Sequence, residues 1–383
     1  MLQAAVRYLT FRRTWDILTS RNSFSATFPA NFASMTTIRR VAQKAGVSIA
    51  TVSRVVNGST AVAPELRDRV LEAVSRCGYA PTIGRRSAAS IALVYTGPFS
   101  VGSPYDAACL DGIVSAMLES DFDLKVAHLR RDKSSSETYS QFFFRKSIRG
   151  AILRCTSSDR DVAQSIGDEG FPAVVLGDRF EHSRLAFAYN DSRPASAEGI
   201  EHLVSLGHKR IAFAANDTDD GDHLDRLEAY RQTLQKHGLY DKQLEFRVPA
   251  HRLDGAQLMR KMMSLSTPPT AVFIADPLTA AGAVNEAHKL QLRVPEEFSI
   301  LGFDDTDTRF SVVPTMTAIC QDSRELGRLA YDLLLRHCDG KNGDGHSSGL
   351  GGKAWLEINH TTARVPAQSV RVMPNGERLS VGV

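Results

Sequence analysis

Several features that define other classes of protein are scarce in this 383-residue chain. The five cysteines are widely spaced and never form a C-x-x-C pair, which argues against a disulfide framework and against the common zinc sites. No stretch approaches the roughly 18 uninterrupted apolar residues that a membrane-spanning helix needs. We therefore expect a soluble protein whose cysteines are reduced thiols.

The sequence also lacks the short motifs of common enzymes. It contains no G-x-S-x-G, no H-E-x-x-H and no phosphate-binding glycine loop. We accordingly expect no catalytic residues, no metal site and no cofactor, and we predict that the protein is not an enzyme.

Acidic residues are scarce at the N-terminal end. Residues 1–86 contain 13 basic and 4 acidic side chains, whereas the rest of the chain contains 33 basic and 39 acidic ones. A basic N-terminal part joined to an acidic remainder favours binding of a polyanion such as nucleic acid. The length of the chain predicts two or three folding units.

Residues 1–34 are basic and rich in Ser, Thr and aromatic residues, and Asp16 is their only acid. They lack the clean apolar segment and small-residue cleavage site of a secretory signal. We interpret them as a disordered extension, or as the result of a start assigned upstream of Met35, with an export signal as the alternative.

Residues 35–80 carry the pattern of a helix-turn-helix. In TTIRRVAQKAGVSIATVSRVVNG, Thr37 and Ser48 are good N-caps for two short helices, and Gly46 supplies the positive φ at which the first helix ends. A third helix begins near Pro64 and is expected to close the small core behind the other two.

The second of these helices has the side chains needed to read DNA in the major groove. Arg54 suits a bidentate contact with guanine, while Ile49 and Ala50 can contact thymine methyl groups. The short polar side chains nearby are of the right size to bind phosphates. The predicted DNA-binding residues of this domain are Thr37, Ser48, Ile49, Ala50, Thr51, Ser53, Arg54 and Asn57.

From residue 91 onward, short apolar runs alternate with amphipathic segments. The runs SIALVY, DLKVAHL, GAILRC, PAVVLG, KRIAFAA, TAVFIA and FSILGF are too continuous for a sheet exposed on one face. They predict parallel sheets covered by helices on both faces, and residues 91–366 are long enough for two α/β lobes.

Polar side chains that follow these runs are candidates for a ligand site, because open α/β folds bind ligands where their strands end. The candidates are Asp178, Arg226, Asp276 and Asp304. Three carboxylates and a guanidinium in one cleft would suit a neutral ligand rich in hydroxyl groups. Each of them, taken alone, is better explained as a helix cap or a solvated residue.

The chain resembles the LacI/GalR family of bacterial transcription regulators. The resemblance begins with TIRRVAQKAGVSIATVSRVVNG and APELRDRVLEAVSRCGYAP and continues through GFPAVVLGDR, RLEAYRQTL and LRVPEEFSILGFDD, so it covers nearly all of residues 36–364. It implies a helix-turn-helix domain followed by a two-lobed body like that of periplasmic sugar-binding proteins. It also implies base contacts from Ile49, Ala50 and Arg54, and effector contacts from Asp178, Arg226 and Asp304.

The sequence departs from that family at three places. Arg40 stands where an acid usually completes a capping box, and Asp276-Pro277 replaces the usual Asn-Asp. The family's hinge helix inserts a Leu into the minor groove, but residues 81–90 have Ala88 at that position, so we interpret them as a truncated hinge or a plain linker. Arg85 and Arg86 in this segment are predicted to contact phosphates or the minor groove.

These observations together predict a cytoplasmic, nucleoid-associated transcription regulator of α/β class. We expect a repressor that binds double-stranded operator DNA as a homodimer and that responds to a small effector, a sugar or related polyol. The helix over residues 322–336 and the segment 105–117 are candidate dimer contacts, and residues 367–383 are expected to be a disordered tail. The alternative is a solute-binding receptor or transport protein built on the same body.

Overall fold

A computed structural model describes residues 38–56, 62–77, 90–97, 100–180, 182–217, 220–339, 349–365, 368–372 and 378–382. The candidate DNA contacts Thr37, Asn57, Arg85 and Arg86 lie outside these residues, as do the N-terminal extension and most of the linker. The five cysteines lie within them and are free thiols. Among the described residues, no helix is long and apolar enough to cross a membrane.

The N-terminal domain consists of three helices around one small core. They are α1 (Ile38–Ala45), α2 (Ile49–Val56) and α3 (Pro64–Cys77). The core contains Val41, Val52, Val55, Val70 and Val74, each of them buried. The predicted helix-turn-helix is therefore confirmed as a fold, with α3 packed behind the first two helices.

The N-terminal lobe of the body is a parallel sheet with helices on both faces. Its elements are β1 (Ser90–Tyr95), α4 (Pro104–Met117), β2 (Asp123–His128), α5 (Leu129–Asp132), α6 (Tyr139–Arg145), β3 (Ile148–Arg154), α7 (Arg160–Asp168), β4 (Ala173–Leu176) and β5 (Ala186–Ala188). The strand order is β5-β4-β3-β1-β2. Apolar clusters cover both faces of this sheet, which explains why its central strands are continuous apolar runs.

The C-terminal lobe repeats this architecture. Its elements are α8 (Arg193–Ser205), β6 (Ile211–Asn216), α9 (Gly221–Lys236), β7 (Glu245–Val248), α10 (Arg252–Met263), β8 (Ala271–Ile274), α11 (Pro277–Lys289), β9 (Ser299–Asp304) and β10 (Thr317–Cys320). The strand order is β10-β9-β8-β6-β7, and every pair in it is parallel. Buried clusters again lie on both faces.

The chain passes between the lobes three times within the described residues. After β5 it enters the C-terminal lobe, and after β10 it returns as α12 (Ser323–Cys338), which packs on the N-terminal lobe. The segment β11 (Gly349–Leu350) extends the first sheet beside β5, and β12 (Trp355–Glu357) then adds an antiparallel edge to β10. The predicted fold class, two α/β lobes with parallel sheets behind a helical domain, is confirmed.

Helices α4 and α12 pack against each other through glycines. A Cβ atom at Gly112 of α4 would overlap the carbonyl of Arg324, and one at Gly327 of α12 would overlap the carbonyl of Cys109. The faces at this contact are thus occupied within one chain, so a dimer contact by either helix would have to use its other faces. Val114 and Leu118 of α4 remain exposed beside the contact.

Residues 368–372 and 378–382 lie in the segment for which a disordered tail is expected. These form β13 (Gln368–Val372) and β14 (Arg378–Gly382), an antiparallel pair in which Val370 lies opposite Ser380. Alternating apolar residues flank an Asn-Gly dipeptide in the sequence, which is the usual signal for a β-hairpin.

Replacement of Gly327 by Ala should destabilise the N-terminal lobe. The added methyl group meets backbone atoms of α4, which cannot move as a side chain can, so the helices must separate at a cost of about 1–3 kcal/mol. The midpoint of urea-induced unfolding measures this effect. Gly102→Ala is the matched control, because the nearest atom to its Cβ would be 3.6 Å away; equal midpoints for the two variants would contradict the packing described.

Candidate DNA-reading helix and ligand cleft

The start of α2 is presented to solvent by a fixed turn. Gly46 has φ +62°, the left-handed conformation that glycine tolerates best, and Arg69 of α3 donates a hydrogen bond from Nη2 to the carbonyl of Ala45 at 2.8 Å. Ser48 caps α2 by accepting the backbone N–H of Thr51 on its Oγ at 3.1 Å. The predicted cap and turn are both found.

The candidate base-reading side chains lie on the free face of α2. Ile49 is 45% exposed, an unusual position for a large apolar residue at a helix start, and Ala50 and Arg54 are exposed beside it. Val52 and Val55 point into the core instead. The structure thus brings Ile49, Ala50 and Arg54 together on one surface, as a helix that enters the major groove requires.

The two lobes meet at the N-terminus of α9. Gly221, the first residue of α9, lies so close to the carboxylate of Asp178 that a Cβ atom there would overlap it. Arg179 and Asp225 form an ion pair across the cleft at 2.9 Å, and Asp225 also accepts a hydrogen bond from the hydroxyl of Tyr189. The cleft is therefore closed over a set of buried polar side chains.

Asp178 is already paired within its own lobe. Arg160 of α7 donates to both of its oxygens, at 2.7 Å and 2.8 Å from Nη2. Burial raises the pKa of Asp178, and the hydrogen bonds and charge of Arg160 only partly offset that effect. Asp178 is thus at the cleft, as predicted, but most of its acceptor capacity is used by Arg160.

Arg154, at the end of β3, is a buried cation that sequence reasoning missed. Its Nε donates to Asp106 at 2.9 Å, its Nη1 donates to the carbonyl of Leu176 at 3.1 Å, and its guanidinium stacks on the ring of Tyr105. The carboxylate of Asp220, in the opposite lobe, is close enough to favour its charged form. A basic residue that ends an apolar strand was the signal that could have identified it.

Arg226 lies in the C-terminal wall of the cleft and is 3% exposed. Its guanidinium stacks on the ring of Phe303 at 3.5 Å from the centroid, and its Nη1 donates to the carbonyl of Ala275 at 2.9 Å. Its nearest carboxylate is Asp222, one helical turn earlier, at 3.8 Å. The predicted arginine is thus in the cleft, held by β8 and β9 and only loosely paired.

Two buried carboxyl groups near Arg226 have raised pKa values. Burial raises the pKa of Asp222 to about 7, although the charge of Arg226 opposes this. Burial likewise raises the pKa of Asp305 to about 6, against the opposing effects of Arg226 and a hydrogen bond from Gln321. Neither residue was among the sequence candidates, and both face the cleft from the lobe that carries Arg226.

Asp276 and Asp304 have structural partners of their own. Asp276 caps α11 by accepting the backbone N–H of Thr279 at 2.8 Å, with Pro277 at the first helical position. Asp304 accepts backbone N–H groups from Thr308 and residue 309, and the guanidinium of Arg309 binds it at 2.8 Å. The oxygens of Asp304 are thus occupied by residues 308 and 309. The adjacent Asp305 lies close enough to Arg226 to feel its charge.

Several buried polar atoms of the cleft have no hydrogen-bond partner within the described part of the chain. They are Asp222 Oδ1, His223 Nε2, Arg226 Nε, Thr279 Oγ1 and Gln321 Oε1. Buried polar groups are nearly always hydrogen-bonded, so a cluster of unpaired donors and acceptors is typical of a binding site for a polar molecule.

Comparison with known families agrees with this division of the chain. Residues 37–82 match the family described as bacterial regulatory proteins, lacI family, and residues 200–351 match a periplasmic binding protein-like domain. The two matches together span more than half of the chain. The chain belongs to the lacI family.

Known members are similar over most of their length. The ribose operon repressor of Haemophilus influenzae is 26% identical over 80% of this chain and 93% of its own. The transcriptional regulator CelR in complex with cellobiose has 25% identity and a TM-score of 0.62, covering 85% of this chain and 99% of its own. The structure of the lac repressor dimer bound to operator and the anti-inducer ONPF has 25% identity and a TM-score of 0.62, covering 86% of this chain and 99% of its own. As a lacI-family member the protein is a DNA-binding transcription regulator.

Asp222→Asn should change how stability depends on pH. The pKa of Asp222 is about 7 in the folded chain, against about 3.9 in an unfolded one, so the folded state holds an extra proton between these values. The free energy of unfolding therefore contains a contribution that is present below pH 4 and is lost as pH rises to about 7.

Asn cannot ionise, so the variant lacks this loss. We expect its free energy of unfolding to rise relative to that of the unmodified chain as the pH increases from 4 to 7, as measured by urea titration. Glu228→Gln, on the exposed face of α9, is the control. A difference between Asp222→Asn and the unmodified chain that is constant over this range would contradict the burial described.

Proposed function

We propose that the protein is a repressor that binds double-stranded operator DNA in the cytoplasm through α2. Its affinity for the operator is set by a small polar effector, a sugar or related polyol, that binds between the two lobes. One observation carries the proposal: a capped reading helix with exposed Ile49, Ala50 and Arg54 is joined to a closed cleft with unpaired buried polar atoms.

The proposed DNA contacts are those that the sequence predicts. Arg54 reads a guanine, Ile49 and Ala50 contact thymine methyl groups, and the short polar side chains bind phosphates. Arg85 and Arg86, in the linker over residues 81–90, add contacts to phosphates or the minor groove. The phosphate-binding residues are Thr37, Ser48, Thr51, Ser53 and Asn57.

The effector site is formed by both lobes. Arg226 and Asp305 are its principal contacts in the C-terminal lobe, and Asp178 and Arg154 border it from the N-terminal lobe. This assignment replaces Asp304 with Asp305, because the carboxylate of Asp304 is used by Arg309. The ribose operon repressor and the CelR–cellobiose complex support a sugar as the ligand class.

A homodimer suits this mode of action. A single helix-turn-helix makes few base contacts, and two copies on half-sites one helical turn apart double them. Large apolar side chains are exposed on both lobes and could form the contact: Val114 and Leu118 on the first, Phe310 and Val313 on the second. The lac repressor is a dimer on its operator. We assign residues 35–80 to DNA binding and residues 91–366 to effector binding and dimerisation.

Selection of DNA sites by the purified full-length chain tests the proposal. We expect a two-fold symmetric site to be enriched, and we expect its affinity to change when the binding is repeated with a panel of sugars and polyols. Recovery of no sequence preference would refute the DNA-binding assignment. A preference that no sugar or polyol alters would refute the effector class.

Arg54→Ala should weaken operator binding and relax selection at one base of each half-site. The loss of one bidentate contact costs about 1–3 kcal/mol per half-site, or roughly 5- to 150-fold in affinity. The same site selection measures both effects. Arg76→Ala is the matched control, because Arg76 is exposed on α3 and pairs with Glu72. An Arg54→Ala profile with unchanged base preference at every position would remove this residue from the reading surface.

A further inference from the structure

The C-terminal wall of the cleft contains more carboxylates than cations, and this imbalance constrains the ligand. We propose that the effector is cationic, a sugar or polyol that bears an ammonium group, and that Asp276 and Asp305 bind this group. The inference rests on the proposed function, because it concerns the ligand of the same cleft.

Most carboxylates around the cleft are matched by a cation. Four basic side chains lie 2.7 Å to 2.9 Å from carboxylate oxygens, and three of them are arginines while the fourth is an imidazole. The pairs are Arg154 with Asp106, Arg160 with Asp178, Arg179 with Asp225 and His223 with Asp220. Three further buried carboxylates, those of Asp222, Asp276 and Asp305, remain. Of the buried cations described, Arg226 is left to match them.

Two of those three carboxylates have neutral partners. Within the described residues, no Lys, Arg or His nitrogen lies within 4 Å of Asp276 or Asp305, although both are buried. Asp276 accepts from the backbone of Thr279, and Asp305 accepts from Gln321 Nε2 at 2.6 Å and from Ser323 Oγ at 3.3 Å. These donors satisfy oxygens but supply no positive charge.

Arg226 cannot neutralise all three groups. Its Nη1 is bound to the carbonyl of Ala275, its plane is held on the ring of Phe303, and its nearest carboxylate is Asp222 at 3.8 Å. One positive charge against three negative ones leaves two negative charges unmatched. Asp305 also faces the charges of Asp276 and Asp304, which oppose its ionisation.

An unmatched buried charge is costly, so the site must take up positive charge in some form. Protons can supply it, which agrees with the raised pKa values of Asp222 and Asp305. A ligand cation supplies it without loss of the carboxylate acceptors. An ammonium group has three donors and one positive charge, so it suits carboxylate acceptors that lack a cation.

The sequence carries the same signal at one position. Asp276 stands where the resemblance to the family predicts Asn. An amide both donates and accepts and therefore suits a hydroxyl group, whereas a carboxylate accepts only and adds a negative charge. The change favours a ligand with a charged donor at this point of the cleft.

Matched pairs of small ligands test the inference on the full-length chain. Isothermal titration near pH 7 compares glucosamine with glucose, and 1-amino-1-deoxysorbitol with sorbitol, so that each pair exchanges one hydroxyl for one ammonium group. We expect the amine of at least one pair to bind at least about tenfold more tightly than its neutral twin, because the new ion pair forms in a partly desolvated site.

Single substitutions locate the effect. Asp276→Asn and Asp305→Asn should each remove most of the amine preference while retaining the affinity for the neutral twin. Glu228→Gln, an exposed change on α9, should leave the preference unchanged. Thermal unfolding of the ligand-free variants provides a second measurement. Both Asn variants should be at least as stable as the unmodified chain, because each substitution removes one of the mutually repelling negative charges.

Equal or weaker binding of both amines, including the absence of binding, would overturn the inference. So would an amine preference that survives both Asn substitutions. A neutral sugar that binds more tightly than its amine and alters operator affinity would overturn this inference and keep the proposed function. A chain that prefers amines but selects no DNA site would keep this inference and overturn the proposed function.

Discussion

The body of this protein depends on how closely its two lobes approach each other at the start of α9. Gly221 packs against the carboxylate of Asp178 with no room for a Cβ atom, and Arg179 then reaches Asp225 across the cleft at 2.9 Å. A larger residue at the start of α9 would have to displace this carboxylate, which Arg160 also holds, and would so weaken the approach of the lobes. The proposed effector site is therefore completed by closure: Arg226 and Asp305 belong to one lobe, and Asp178 and Arg154 border them from the other.

The groups that meet on closure are charged, so closure has an electrostatic cost. Carboxylates such as Asp222 and Asp305 lose hydration without gaining a close cation, and their raised pKa values reflect this cost. The proposed effector, by supplying the missing contacts, would bind the closed form better than an open one and would shift the population toward it. If the protein binds its operator as a dimer, as proposed, this shift can change how the two reading helices are spaced on DNA, because the N-terminal lobe follows the helix-turn-helix domain in the sequence.

The apolar runs of the sequence were sufficient to predict most of both sheets, because strands buried on two faces are continuous apolar segments. The predicted runs did not include β5, β7, β10 and the edge strands β11 and β12. These strands have two to four residues each, and β7 is also half polar. Arg226 was predicted correctly as a cleft residue, but Arg154 and Asp222 were missed, because their importance depends on which side chains face each other across the lobes. Asp304 was chosen over Asp305 for a related reason: neighbouring residues at a strand end point to opposite faces, and the sequence does not show that Arg309 holds the first of them.

Small-angle X-ray scattering of Gly221→Val tests the central claim most directly. Gly102→Val is the matched control, because a Cβ atom at Gly102 would lie 3.6 Å from its nearest neighbour, Ser100 Oγ. If closure depends on Gly221, the first variant should have a larger radius of gyration than the unmodified chain, while the second should be unchanged. Superimposable scattering curves for all three proteins would contradict the account.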